Sequence, residues 1–358
     1  MVWHHDDSNE GQRLAVSFES ASQVRGKDID YRAVIVATYF TRVVAIALLC
    51  SISCAATLGA ASAPKMGAWS KTQLIDPGVR SSVSVVSCAT TTFCAAVDTN
   101  GDVHVWRSGT WLAPQHLNAG GSLSSISCPT TTFCVAIGSE AMAYNGRTWR
   151  AIGSPGPRDS YQISCVTSTF CVATGVSGLP GKPSVLAVFN GHSWSSQRTV
   201  STGKLSDRVL DVSCASVTYC VAVNLNGKIL TYDGSRWTTL PKAGPAGLIS
   251  VSCATVSFCL AISDQGSSIV IHGHTWAAER DIGSLSAAFA FSVSCATTKE
   301  CFALGLNGHS ATWRDGDWSK ARTVFADGFF SGVSVSCVAQ QQCLAVDSKD
   351  QSSLYRRS

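Results

Sequence analysis

The chain has 358 residues, 45% hydrophobic and 14% charged, with a formal net charge of +4. That composition is enough to bury a sizeable core. From Pro64 onward 22 Lys and Arg stand against 17 Asp and Glu, spread along nearly the whole region, a balance too dilute for a nucleic-acid surface.

Residues 1–30 are polar and without periodicity, and they are set aside from the fold. Arg32 and Arg42 then precede the apolar run from Val43 to Ile52, and small residues lead to Ala61, Ser62 and Ala63. Charged, apolar, then A-x-A is the order of a secretory signal, so residues 1–63 are read as an N-terminal extension with such a signal and 64–358 as the folded domain. Second to cleavage stands retention of Val43–Ala61 as a membrane anchor facing outside, and third a lipid on Cys54. Export also agrees with the cysteines. Of 16, all but Cys50 and Cys54 fall into seven pairs, the bookkeeping of an oxidising compartment.

The pairs belong to a repeat. SCATTTFCAA (Ser87 to Ala96), SCPTTTFCVA, SCVTSTFCVA, SCASVTYCVA, SCATVSFCLA, SCATTKECFA and SCVAQQQCLA (Ser336 to Ala345) recur with their first cysteines 37 to 49 residues apart, the period of a propeller blade or array unit. Each unit carries four short strand signals, here Val83–Cys88, Cys94–Asp98, Asp102–Trp106 and Trp111–Pro114. Asn-Gly and Asp-Gly turns punctuate them, as at Asn100-Gly101, Asn226-Gly227, Asn145-Gly146 and Asp233-Gly234. Tryptophans open the fourth strand at 69, 111, 149, 194, 237, 276 and 318. The first precedes every cysteine pair and the last pair has no tryptophan after it. The chain therefore begins with a fourth strand and ends with a third. Pairing the segment around Trp69 with Ser353–Arg356 closes the ring and removes its exposed edges.

In these features the sequence resembles the β-propeller superfamily, which implies an all-β fold of seven four-stranded antiparallel blades closed by the N-terminal strand. Gly146–Trp149 and Gly273–Trp276 are similar in part to the Asp-box of sialidase-like propellers, without its serine and spaced aspartate. The SC…FC-V-A repeat resembles secreted bacterial propellers. Such likeness transfers a fold, not an activity.

Each cysteine pair flanks a five-residue hairpin, so the thiols face each other across neighbouring strands. The expected disulfides are Cys88–Cys94, Cys128–Cys134, Cys165–Cys171, Cys214–Cys220, Cys253–Cys259, Cys295–Cys301 and Cys337–Cys343, each worth roughly 2 kcal/mol for so short a loop. The tryptophans are read as interblade packing with their N–H groups partnered. Asp98–Asp102 is read as a hairpin turn rather than a calcium loop, and His272 and His274 as surface histidines. No metal or cofactor is expected.

Only Glu140, Glu279 and Glu300 follow residue 64, and no GxSxG, HExxH or phosphate loop is present. Enzymatic activity is left open and binding is favoured. Residues that depart from the repeat mark the candidate site: Arg158, Asp159, Tyr161, Asp207, Arg208, Asp211, Asp281, Asp327 and Phe329. They are assigned to connections from a fourth strand to the next first strand, on the face shared with the second-to-third turns and the insertion from Gly175 to Pro183. The expected molecule is a secreted monomer that recognises a protein or a cell-envelope glycan. The alternatives are a secreted carbohydrate hydrolase or lyase and a lectin with one pocket per blade gap.

Overall fold

The computed structural model describes residues 67–78, 82–117, 119–156, 160–176, 181–201, 203–204, 207–240, 245, 247–283, 285, 290–326, 330–338 and 342–357. The N-terminal extension, its signal, Cys50 and Cys54 lie outside them, as do Arg158, Asp159, Asp327, Phe329 and part of the Gly175–Pro183 insertion.

Seven antiparallel sheets form a seven-bladed propeller. The innermost strands are, in blade order, Val83–Thr90, Ser125–Thr130, Ser160–Thr167, Val209–Ser216, Leu248–Thr255, Ala290–Thr297 and Val333–Val338. Each packs against its two neighbours, the first against the last included. The second strands, such as Phe93–Asp98, Tyr219–Asn224 and Glu300–Gly305, are buried at every residue. They lie between other strands on both edges and other blades on both faces, so their sequences are continuous apolar runs rather than alternating ones.

Both cysteines of a blade stand opposite each other, as Cys88 does to Cys94, and all seven expected disulfides are formed, with Cα atoms 3.9–4.0 Å apart. The serine before each first cysteine ties blades together. The amide of Cys128 donates to Ser87 Oγ of the preceding blade at 2.9 Å, and the same bond runs from Cys165 to Ser127, Cys214 to Ser164, Cys253 to Ser213, Cys295 to Ser252, Cys337 to Ser294 and Cys88 to Ser336, all at 2.9–3.0 Å.

Ring closure follows the expected pairing. Ala68 and Trp69 pair with Arg356 and Tyr355, and Gln73–Leu74 pair with Ser352 and Gln351. The Ile75 amide donates to the Asp350 carbonyl at 2.9 Å and the Asp76 amide to Asp350 Oδ2 at 3.0 Å. Burial pushes the Asp350 carboxyl up to about 6.

Outside the ring of serines, tryptophans seal the gaps between blades. Trp69 Nε1 donates to Ser310 Oγ, Trp111 to Ser352 and Trp318 to Ser268, at 2.8–2.9 Å, each serine lying on the third strand of the preceding blade. Strand register places Val103 and Ala141 at the equivalent positions of the first two blades. There Trp149 and Trp194 pack against the apolar side chains, and their buried Nε1 groups have no partner. The expectation of partnered N–H groups therefore holds for Trp69, Trp111 and Trp318 and fails for Trp149 and Trp194, where the serine is missing.

Deleting residues 64–73 strips the last blade of its outer strand. The truncated protein is expected to melt several degrees lower or to aggregate through the uncovered edge, measured by thermal unfolding and light scattering. Ala141→Ser supplies the missing acceptor for Trp194 and is expected to stabilise the fold by about 1 kcal/mol in chemical denaturation.

Candidate functional site

The described candidate residues do not assemble as a single loop patch. Tyr161 lies within an innermost strand, not a connection, and is 1% exposed. Its ring packs between the second and third blades and its hydroxyl donates to the Gly156 carbonyl. Asp207 is buried at 3% exposure, accepting from Asn224 Nδ2 at 2.8 Å and Lys228 Nζ at 3.0 Å. That contact joins a fourth-to-first connection to a second-to-third turn, which puts both on one face. Arg208 is half-buried beside it. Asp281 is exposed in an outer strand of the fifth blade, away from the fourth-blade group. Asp211 also lies within an innermost strand, Val209–Ser216, and lines the axial channel.

The other singled-out groups serve the scaffold. Asp98, wholly buried, accepts the amides of Asn100 and Asp102 at 2.9 Å and holds His104 Nε2 at 2.9 Å, a turn clamp. Asn224 and Asp347 clamp equivalent turns through the same pair of amides. His272 Nδ1 donates to the Ser257 carbonyl, while His274 Nδ1 bonds Thr231 Oγ1. Glu300 is buried and held by Arg314 Nε at 2.8 Å.

The channel is where the repeat breaks most consequentially. It is a cavity of about 500 Å³ walled by the innermost strands. Two residues before the repeat serine, register gives Val85, Ser125, Gln162, Asp211, Ser250, Ser292 and Ser334 around the ring. Four of these serines accept an amide from the next blade: Ser334 from Val86, Ser125 from Ile163, Ser250 from Val293 and Ser292 from Val335, at 3.2–3.3 Å. Asp211 does this for Val251 at 2.8 Å through Oδ2, which also accepts from Ser250 Oγ at 3.1 Å. Its Oδ1 takes the Val212 amide at 2.8 Å. Burial outweighs these three donors and lifts its pKa to about 6.

At this level the first blade carries a register shift between Val83 and Val85, and above Asp211 the fourth, fifth and sixth blades carry the same shift between Val209 and Asp211, Leu248 and Ser250, and Ala290 and Ser292. A bulge re-aims the extra residue, and on the latter three blades the extra residues are Leu210, Ile249 and Phe291, all lining the channel. They lie at the connection end of their strands, and Phe291 is 40% exposed. None of the three is among the residues singled out from sequence. The signal lies in VLDVSC, LISVSC and AFSVSC, where an apolar residue breaks the alternation.

Further grooves lie between blades at the outer edge. One of about 550 Å³ is lined by Arg280, Asp281, Trp318 and Lys320, another of about 210 Å³ by Trp69, Arg314, Trp318 and Tyr355, and one of about 290 Å³ by Arg198, Lys228 and Trp237. Their polar linings differ, so they are not equivalent pockets.

No family model matches the chain, and no curated protein matches it. Among solved structures it is similar to the WD40 propeller domain of Doa1, at 13% identity and a TM-score of 0.62 over 80% of this chain and 97% of that one. It is also similar to YCF48 bound to D1 peptide, at 14% and 0.61 over 81% and 97%, and to the WD40 repeats of RRP9, at 10% and 0.65 over 83% and 100%. At these identities the likeness is one of fold.

The Asp211 carboxyl makes stability depend on pH. Its folded pKa of about 6 lies above the ordinary 3.8, so its contribution favours the fold below the ordinary value and is lost as pH rises through about 6. The stability difference between Asp211→Ser and the parent is expected to move in the variant's favour by on the order of 2 kcal/mol across that window. Urea midpoints measured along the pH series check this; Asp350, present in both proteins, cancels.

Proposed function

We propose that this propeller is a secreted binding module that takes a segment of another protein on its connection face, at the mouth of the axial channel. The observation that carries the reading is the apolar arc of Leu210, Ile249 and Phe291, held by bulges on three successive blades beside Arg208 and above Asp211. A unique ligand needs asymmetry, and partly exposed apolar anchors with a few polar groups are what a binding site offers. The opposite face carries the near-identical Thr- and Ser-rich cysteine hairpins. Similarity in fold to YCF48 bound to D1 peptide supports a polypeptide ligand. Seven disulfides support an oxidising, extracellular setting; among the described residues no helix is long and apolar enough to cross a membrane.

A cell-envelope carbohydrate is the second reading, favoured by the tryptophan-lined grooves between blades. Their unequal linings speak against one lectin pocket per gap. Glu300, one of three glutamates after residue 64, is committed to Arg314.

The test is capture from cell-envelope extract alongside a glycan array, followed by titration of the identified ligand. Phe291→Ala and Arg208→Ala are expected to weaken binding about tenfold or more with an unchanged melting temperature, while alanine at Thr90, Thr92, Thr130 and Thr132 leaves it intact. Normal binding by the first pair with loss in the second set overturns the reading.

A further inference from the structure

The channel wall is not chemically uniform. Where serine stands two residues before the repeat serine, its hydroxyl is already engaged with the next blade. The third blade carries Gln162 instead, and Val212, the amide it would meet, turns to Asp211 Oδ1. Among the described residues the Gln162 side chain makes no hydrogen bond, and it lines the channel next to Asp211. An ionised carboxylate has about four lone-pair sites, and Asp211 uses three, one on Oδ1 and two on Oδ2. One quadrant therefore presents an open acceptor site on Asp211 beside the Gln162 amide, whose oxygen accepts and whose nitrogen donates.

No charge answers Asp211. Among the described residues lining the channel it is the sole ionisable one. From its own strand it is faced by the Val212 amide, from the fifth blade by the Val251 amide and the Ser250 hydroxyl, and from the third blade by Gln162. The nearest charged groups by position, Asp207, Lys228 and Arg208, belong to the rim, where Asp207 and Lys228 pair with each other. Burial without a counter-ion is what raises Asp211 to about 6. It remains ionised at neutral pH and above, and is stabilised by any cation that enters.

Leu210, Ile249 and Phe291 form an apolar arc over this carboxylate. An apolar entrance leading to an anion matches a cation carried on an alkyl stem, whose methylenes lie along the arc while the head is desolvated against the acceptor. We infer that the axial channel is a subsite for an alkyl-borne cation, an ammonium or guanidinium side chain of the bound ligand, received by Asp211 and Gln162. This rests on the connection-face reading above and names the chemistry of the ligand's central anchor.

The test uses small probes on the intact protein: pentylamine, agmatine for the guanidinium head, and pentanol as the neutral control, read by calorimetry and thermal shift near pH 8. The parent is expected to bind the amine or agmatine in the millimolar range and to ignore pentanol; the preferred head group identifies the source. Asp211→Ser is expected to weaken the cation by about tenfold or more, Gln162→Leu by several-fold, and acidification of the parent to about pH 5 to weaken it similarly by protonating Asp211. Should Asp211→Ser fold poorly, Asp211→Asn and the pH series of the parent carry the comparison. Equal binding of pentanol, absence of cation binding, or binding indifferent to both Asp211 and pH overturns the inference. If the captured ligand still depends on Phe291 and Arg208 in that case, only the cation subsite falls; if it does not, the connection-face reading falls with it.

Discussion

The ring depends on one repeated hydrogen bond, the amide of each first cysteine donating to the serine hydroxyl of the blade before it. An innermost strand pairs with its own second strand on one side only. Its other edge would leave amides unmet in a crowded, partly buried wall, and unmet buried amides are costly. The serine is short enough to reach the neighbouring backbone without forcing the blades apart. This explains why the residue recurs in every copy, and why the disulfide follows it immediately. Covalent linkage of the two strands fixes the position of the cysteine amide relative to the neighbouring hydroxyl.

The tryptophans perform the complementary task farther out, filling the widening space between blades. Where a third-strand serine is present, the ring both fills the gap and satisfies its N–H, as with Trp318 and Ser268. Trp149 and Trp194 show that the packing persists without the hydrogen bond. Most of the stabilisation at these gaps comes from burying a large aromatic surface, and the polar contact refines it.

The architecture was legible because its determinants are local and repeated: paired cysteines with five residues between them, Asn-Gly turns, and a tryptophan at each fourth strand. Even closure could be read, since a leading tryptophan and a trailing third strand complete one another. The candidate site was less so. Tyr161 and Asp211 stand out as polar departures from the repeat and so read as connection residues, although the strand signal at Val83–Cys88, carried to their own blades, already covers both. Asp207 carries a charge that would ordinarily mark a surface, yet its pairing with Asn224 and Lys228 depends on a turn brought near by the fold. The bulges at Leu210, Ile249 and Phe291 each change facing by a single residue, a shift that periodicity alone does not resolve.

Seven blades built from neighbouring segments, joined by a seam between distant ones, impose an order on folding. Each cysteine hairpin spans only six positions in sequence and can form and oxidise as soon as its own segment emerges. The seam unites residues separated by up to 288 positions, as in the pairing of Ala68 with Arg356, and loop closure over that span is entropically the slowest contact to gain. The topology therefore favours closing each blade before closing the circle. The first residues of the domain to be synthesised are then among the last to find their partners.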